Sequence, residues 1–343
     1  MKEILVVDDN IANLRQISAQ LEGSYNVTLV KSGAQALVVC AQERPDLILL
    51  DVEMPDLDGF ETIERMRMNL ALRSIPVIFI TANHDSATEV RGLKSGARDF
   101  ITKPVEKSIL LHRIELHLSI SSYQSYLENT VTEMTDSIAT SLAELIECRD
   151  EETGGHVLRT SKYVETLAYE LLSKGLFVDE LSSQSVAMMV RATPLHDIGK
   201  IAISDRVLLK PGRLDDEEFA IIKKHAPIGA EILRNMYERT PTQSYLQYAM
   251  MIAESHHERY DGHGYPYGIS KDDIPLCGRI MAVADVYDAL VDNRIYRKGM
   301  SHIEACRIII DGRGTQFDPR VIEIFQNCHL KFAQMAQWRK RAE

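Results

Sequence analysis

Short apolar runs alternate with longer amphipathic ones through the first third of the chain, after which only the amphipathic kind continues. Ile4 to Val7, Leu47 to Leu50 and Val77 to Ile80 are compact apolar runs, and Phe100-Ile101 forms a shorter one just before Lys103-Pro104. Between them, segments such as Ile11 to Leu21 and Ala34 to Ala41 carry apolar residues at helical spacing. Buried strands alternating with amphipathic helices predict an α/β doubly wound parallel sheet covered on both faces. Polar residues then gather at the carboxyl ends of the strands, where open sheets of this kind place their sites.

From Lys107 to Cys148 no Pro or Gly intervenes, and Leu127, Val131, Met134, Ile138, Leu142 and Leu145 recur at spacings of three and four. That is one apolar stripe along a helix. It pairs with a second copy of the chain in a homodimer, or it packs on its own domain; the spacing admits both. Ser119, Ser121 and Ser122 interrupt the stripe and are expected to mark a break between domains. Farther on, Tyr163 to Leu171, Val186 to Leu195, Phe219 to Ile222, Ile228 to Met236, Leu246 to Ile252 and Ile280 to Leu290 all read as helices, with no alternating strand pattern among them. The second domain is therefore expected to be all-α, with any ligands gathered from facing helices. The expected division is one domain over 1–120, a helical connector over 121–145, a second domain over 146–335 and a tail over 336–343.

A length of 343 residues supports two such cores. The net charge of -11 gives no DNA-binding footprint, and no basic helix-turn-helix segment follows the connector. Cys40, Cys148, Cys277, Cys306 and Cys328 are scattered, as expected of reduced, mostly buried thiols in a cytoplasmic protein. The opening residues fit neither a signal peptide nor a membrane span, and no other apolar run is long enough to cross a bilayer.

Asp8, Asp9 and Asp51 converge on the strand ends and would repel one another unless a cation joined them; hard oxygen ligands suit Mg²⁺. Lys103 adds a fixed positive charge and Thr81 a hydroxyl, a set suited to a carboxylate that accepts a phosphoryl group. Residues 1–120 resemble the receiver domain of a two-component response regulator through Asp8-Asp9, Asp51 with Met54-Pro55-Asp56-Leu57-Asp58-Gly59, Thr81-Ala82 and Lys103-Pro104. The resemblance implies that Asp51 is the phosphoacceptor, served by a cognate sensor histidine kinase. It also implies that Asp8, Asp9, Asp51 and the Glu53 backbone carbonyl hold Mg²⁺, and that the Lys103-Pro104 peptide is cis. Thr81, Lys103 and Phe100 would form the switch, with Phe100 in the place of the family's aromatic residue.

In the second domain, His256-His257 leads into a turn-rich run ending in Gly264-Tyr265-Pro266. Adjacent histidines alone are more often a polar surface feature than a metal site. Here they have company in Glu152 and His156, His196-Asp197, His225 and Asp285, all nitrogen or oxygen donors. In His196-Asp197-Ile198-Gly199-Lys200 an imidazole and a carboxylate reach one metal, the carboxylate can bridge to another, Gly199 permits a tight turn and Lys200 projects a charge into the same space. Such a mixed shell holds two ions and favours Fe or Mn over a cysteine-rich zinc site. Two ions can neutralise the charge that builds on a phosphodiester, so phosphodiester hydrolysis is the expected reaction class.

Residues 140–335 resemble the HD-GYP domain, a branch of the HD phosphohydrolase superfamily. The matching stretches are Glu147 to His156, His196-Asp197 with Gly199-Lys200, His225 with Gly229, His256-His257-Glu258 with Asp261 to Pro266, Asp285 to Leu290, and Arg294 to Arg297. The resemblance implies hydrolysis of cyclic di-GMP to linear pGpG, in some members onward to GMP, with two or three divalent transition metal ions. It makes His156, His196, Asp197, His225, His256, His257 and Asp285 metal ligands, and sets Glu152 where some members bind a third ion. A glutamate in a first helical turn is also stabilising without metal. Lys200, beside Asp197, would meet the nucleophile or the phosphate, Arg294 and Arg297 would grip phosphate oxygens, and Tyr265 and Pro266 would shape the nucleotide-facing loop. Two departures are Ala226 between His225 and Pro227, and Arg297 where some members have Lys. His84, His112, His117, His302 and His329 fall outside the motifs and are not expected to be ligands, and His263 is expected at the surface.

The resulting expectation is a response regulator in which phosphorylation of Asp51 controls a cyclic di-GMP phosphodiesterase. The alternatives are a preference for pGpG or another cyclic dinucleotide, and a phosphorylation-controlled adaptor that binds diguanylate cyclase domains, its metals serving structure.

Overall fold

A computed structural model describes residues 1–69, 71–82, 86–149, 155–292 and 298–337. The chain divides into two compact units, Met1–Thr132 and Glu133–Glu343. Among the described residues, no helix is long and apolar enough to cross a membrane.

The first unit runs β1 (Glu3–Val7), α1 (Ile11–Leu21), β2 (Asn26–Val30), α2 (Gly33–Gln42), β3 (Leu47–Asp51), α3 (Gly59–Met68), β4 (Val77–Thr81), α4 (Ser86–Ser95) and β5 (Asp99–Thr102). The strands form one parallel sheet of order β2-β1-β3-β4-β5. Alternate residues of the central strands feed two cores: Leu5, Val7, Ile48, Leu50 and Phe79 face one side, and Ile4, Val6, Leu47, Leu49, Ile78 and Ile80 the other. Both faces being buried explains why these strands read as continuous apolar runs. β2 has no such run, because at the sheet edge only Val30 is buried. Asn10, Ser32 and Asp58 cap α1, α2 and α3 by accepting backbone N–H bonds, which starts each helix just past the strand ends.

α5 (Lys107–Arg149) is a 43-residue helix. The expected break at Ser119, Ser121 and Ser122 is not there: the helix runs through them. Ser119 and Ser122 are exposed and Ser121 half-buried, and serine costs a helix only tenths of a kcal/mol, about 0.5 relative to alanine. Nor does the stripe pack on its own domain. Val131, Met134, Ile138 and Leu145 are 56–64% exposed, while Ala139, Ala143 and Ile146 on another face are buried.

The second unit contains α6 (His156–Ser173), α7 (Ser183–Ala192), α8 (Asp205–Leu208), α9 (Asp216–Ile222), α10 (His225–Arg239), α11 (Tyr245–Ser255), α12 (Leu276–Val291), α13 (His302–Asp311) and α14 (Pro319–Gln337). Its elements are all helical among the described residues. Tyr163 stacks on Phe332 at 4.5 Å, Tyr287 meets both rings edge-on and Phe325 meets Phe332 edge-on, joining α6, α12 and α14 in one core.

Candidate metal centre

His196 and Asp197 sit between two short 3₁₀ turns, Thr193–Leu195 and Ile198–Ala202. A Cβ on Gly199 would lie 2.0 Å from the His225 carbonyl oxygen and 2.6 Å from the Gly229 nitrogen. Glycine is therefore needed for close approach: it lets this turn rest on the start of α10 and brings Asp197 beside His225. His256 and His257 follow directly on α11, His156 begins α6, and Asp285 projects from α12.

Backbone carbonyls orient three of the imidazoles. Nδ1 lies 2.7 Å from the Ile222 oxygen in His225, 3.0 Å from the Ile252 oxygen in His256 and 3.0 Å from the Thr193 oxygen in His196. A carbonyl only accepts, so each ring keeps its proton on Nδ1 and turns the Nε2 lone pair inward. The inward atoms meet acceptors. His225 Nε2 is 3.4 Å from His256 Nε2 and 3.2 Å from Asp197 Oδ1, and His256 Nε2 is 3.6 Å from the same oxygen. Among the described residues, buried Asp197 Oδ1 and His196 Nε2 have no hydrogen-bond partner.

Buried acceptors converging without protons between them repel unless a cation joins them, and this donor set fits one. Asp197, His225, His256 and His257 form one group whose ligand atoms lie within 4.8 Å of one another, and His156, His196 and Asp285 form a second. Nitrogen and oxygen donors without sulfur suit borderline divalent ions. The protonation states of Asp197 and His257 agree, while at His196 burial is outweighed by the Asp197 carboxylate, which raises the imidazole value. Burial opposes ionisation of Asp197, but Lys200, with Nζ 2.9 Å from Oδ2, and His196 hold its carboxyl well below the usual range. Burial and the neighbouring His256 and His225 rings push His257 well below the usual imidazole value. A carboxylate and a neutral imidazole are the ligating forms.

A second acidic site lies at the strand ends of the first unit. Asp8 and Asp51 are buried and group with exposed Asp9. Lys103 Nζ donates to Asp8 at 2.9 Å and to Asp51 at 2.7 Å, and the Asn13 amide donates to both Asp8 oxygens. Burial, with Asp8 nearby, pushes the Asp51 carboxyl up to about 6 despite Lys103, as expected of an acid cluster that lacks enough positive charge. Oxygen donors of this kind fit Mg²⁺. The Glu53 N–H reaches Asp51 Oδ1 at 3.4 Å, Thr81 is buried at the end of β4, and the Lys103-Pro104 peptide is cis. Phe100 lies 5.3 Å from Phe79.

The HD domain family matches residues 140–321, and the response regulator receiver domain family matches residues 4–115. The chain belongs to the HD-domain response regulators. It is 40% identical over 349 residues to a probable cyclic di-GMP phosphodiesterase of Vibrio cholerae serotype O1, covering 97% of this chain and 79% of that protein. It is 35% identical over 330 residues to the cyclic di-GMP phosphodiesterase response regulator RpfG of Xanthomonas campestris pv. campestris, covering 93% and 86%. A 3'3'-cGAMP-specific phosphodiesterase 2 of Vibrio cholerae is 39% identical over 192 residues, covering 56% of this chain and 34% of that protein.

An HD domain implies divalent metal binding, and the residues singled out in its sequence lie together wherever they are described. Tyr265 stacks on His257 with ring centroids 4.6 Å apart, and a cis peptide joins it to Pro266. Glu152, Arg294 and Arg297 lie outside the described residues, as does His84. His263 is exposed. Sequence reasoning gave no role to three residues that organise the HD centre. Asp288 Oδ2 accepts from His156 Nδ1 at 2.8 Å, which frees His156 Nε2 to face Asp285 at 3.5 Å. Arg159 grips both oxygens of Asp288 at 2.7 and 2.8 Å. Buried Glu258 accepts the N–H groups of Tyr267 and Gly268 and so ties down the loop that carries Tyr265. The available signal for Asp288 was its spacing of three from Asp285, which puts both on one helix face.

Proposed function

We propose that this chain hydrolyses cyclic di-GMP to pGpG at the HD centre, in the cytoplasm, under control of phosphorylation at Asp51 by a sensor histidine kinase. The observation that carries the reading is the cage itself: inward-facing Nε2 atoms and the Asp197 carboxylate, with Lys200 at its edge. His156, His196 and Asp285 would hold one ion and Asp197, His225, His256 and His257 another, with Fe or Mn favoured. Glu152 is a candidate for a third. When bound, such ions supply Lewis acidity toward the phosphodiester and the attacking water. Lys200 keeps a positive charge where phosphate oxygens would arrive, held in place by its 2.9 Å contact with Asp197. Tyr265, fixed against His257, offers an aromatic face to a nucleobase, and Arg294 and Arg297 are proposed to hold phosphate oxygens.

Nothing in the donor cage reads a base, and the relative named for 3'3'-cGAMP supports a second reading in which another cyclic dinucleotide is preferred. Protein loaded with Fe or Mn and given cyclic di-GMP, 3'3'-cGAMP or pGpG separately, with products followed by chromatography, decides between them. The expected result is fastest conversion of cyclic di-GMP to pGpG. No turnover of any of the three would end the enzyme reading.

The end of α5 supports the control. Arg149 donates to the carbonyls of Ile201 and Ile203 at 3.2 and 3.3 Å and pairs with Asp205, while Glu147, two residues earlier, is buried beside His196, Asp197 and Lys200. The last turn of the helix that begins in the receiver is thus fastened to the segment carrying the metal-centre residues. Acetyl phosphate with Mg²⁺ should change kcat/KM by about 5-fold or more, the scale of an ordinary coupling between sites. The response should vanish in Asp51→Asn; an equal response in that variant would refute Asp51 as the control point.

The exposed stripe supports pairing of two copies through α5. Leu127 and Ile138, Val131 and Leu142, and Met134 and Leu145 are each eleven residues apart. An eleven-residue period of about 3.67 residues per turn keeps a seam on one face with a slight right-handed supercoil. Ile138→Glu combined with Leu145→Glu is expected to convert a dimer to monomer by light scattering. Unchanged mass would remove the stripe from the interface.

A further inference from the structure

Outside the HD centre, three more metal-ligating side chains meet where α13 packs on α14. His302 is the first residue of α13 and Cys306 lies one turn later on the same face, with His329 on α14 opposite them. His302 Nε2 is 2.9 Å from His329 Nδ1, and Cys306 Sγ is 3.5 Å from His302 Nε2. One ligand atom from each residue falls in a group spanning no more than 4.8 Å. A tetrahedral zinc ion with Zn–N and Zn–S bonds of about 2.05 and 2.3 Å separates its ligands by roughly 3.4 Å for N···N and 3.6 Å for N···S. The N···S spacing already matches, and the two rings need to part by about 0.5 Å for the N···N spacing to do so.

The surroundings favour a metal over an accidental contact. Tyr287 Oη, on α12, lies 2.8 Å from His302 Nδ1. With Nδ1–H donating to that oxygen, the Nε2 lone pair is directed at His329 and Cys306, the outer hydrogen bond that ligating histidines commonly make. Cys306 is buried while both histidines are half-buried, so the group is reachable from solvent through the imidazoles.

We propose that His302, Cys306 and His329 bind one zinc-class divalent cation, with water as the fourth ligand, at a site separate from the HD centre that ties α13 and α14 to each other and, through Tyr287, to α12. On binding, the Cys306 thiol proton leaves to solvent and the thiolate takes its place on the metal. Histidines that the motifs leave without a ligand role thereby acquire one.

Cobalt(II) distinguishes this site from the others in the full-length protein. The HD centre and the receiver cluster contain no cysteine among the described residues, so a thiolate-to-cobalt charge-transfer band in the near ultraviolet reports this site alone. Titrating metal-free protein with Co²⁺ should produce such a band that saturates at one equivalent and is displaced by Zn²⁺. Cys306→Ser should abolish it, His329→Gln should weaken cobalt binding at least tenfold, and Cys328→Ser should leave it intact. Circular dichroism identifies any variant that does not fold, in which case the other decides. No band in the wild-type protein, or a band that survives Cys306→Ser, overturns the proposal. The readout is independent of nucleotide turnover, so it stands or falls apart from the phosphodiesterase reading.

Discussion

Asp197→Ala is expected to lower turnover of cyclic di-GMP by on the order of 10³-fold or more while leaving the metal-free protein folded. A loss of that size is what removal of a preorganised charged group from a reaction centre produces, about 4 kcal/mol of transition-state stabilisation. Asp197 faces His225 and His256 through Oδ1 and His196 and Lys200 through Oδ2. It is the sole carboxylate in its four-residue group, so its removal leaves neutral imidazoles beside a lysine, a poor site for a cation. The substitution takes from Lys200 the ion pair it makes at 2.9 Å but also relieves a crowded cluster of acceptors, so a stability cost of about 3 kcal/mol is expected, which leaves the protein folded. Metal content per chain, turnover and urea unfolding on the same preparations test all three parts. Asp197→Asn keeps the shape and removes the charge; if it retained both metal and activity, the carboxylate would have no role in the cage.

The metal centre was legible because its chemistry needs particular residue types, and these are rare enough in combination to stand out. His196-Asp197 and His256-His257 are visible as pairs, and the receiver carboxylates fall at the ends of apolar runs that announce themselves as strands. What stayed hidden depends on geometry that no local pattern encodes. β2 lacks an apolar run because it is an edge strand. The serines of α5 looked like a break, yet an exposed helix face accommodates them. Gly199 looked like a turn residue, and its real constraint is the backbone of a helix that begins more than twenty positions later. His302 and His329 are far apart in sequence and have no motif around them, so only the packing of α13 on α14 brings them together. Asp288 was hidden in a different way. It sits inside a recognisable stretch, but its spacing of three from Asp285 shows only a shared helix face and does not tell a carboxylate that orients a ligand from one that is a ligand.

Asp288→Asn should therefore damage the centre without touching a metal or a substrate. The carboxylate is buried, takes two hydrogen bonds from Arg159 and accepts the Nδ1 proton of His156. Neutralising it leaves Arg159 half-paired in a buried setting, which costs about 3 kcal/mol or more when one partner of such a pair is removed. The amide that replaces it also offers N–H donors toward groups that themselves donate. His156 is then free to rotate or to move its proton to Nε2, the atom that faces Asp285 at 3.5 Å. Loss of an outer-shell partner of this kind typically lowers metal affinity about 10- to 100-fold. The two effects separate in a comparison with Asp292→Asn. Asp292 also pairs with Arg159, at 2.8 Å, through the guanidinium nitrogen that also reaches Asp288. Asp292→Asn should lower the urea midpoint with metal affinity preserved, whereas Asp288→Asn should lower both. Equal metal affinities in the two variants would show that His156 keeps its orientation without Asp288, and that the ring is held by the helix start rather than by its carboxylate partner.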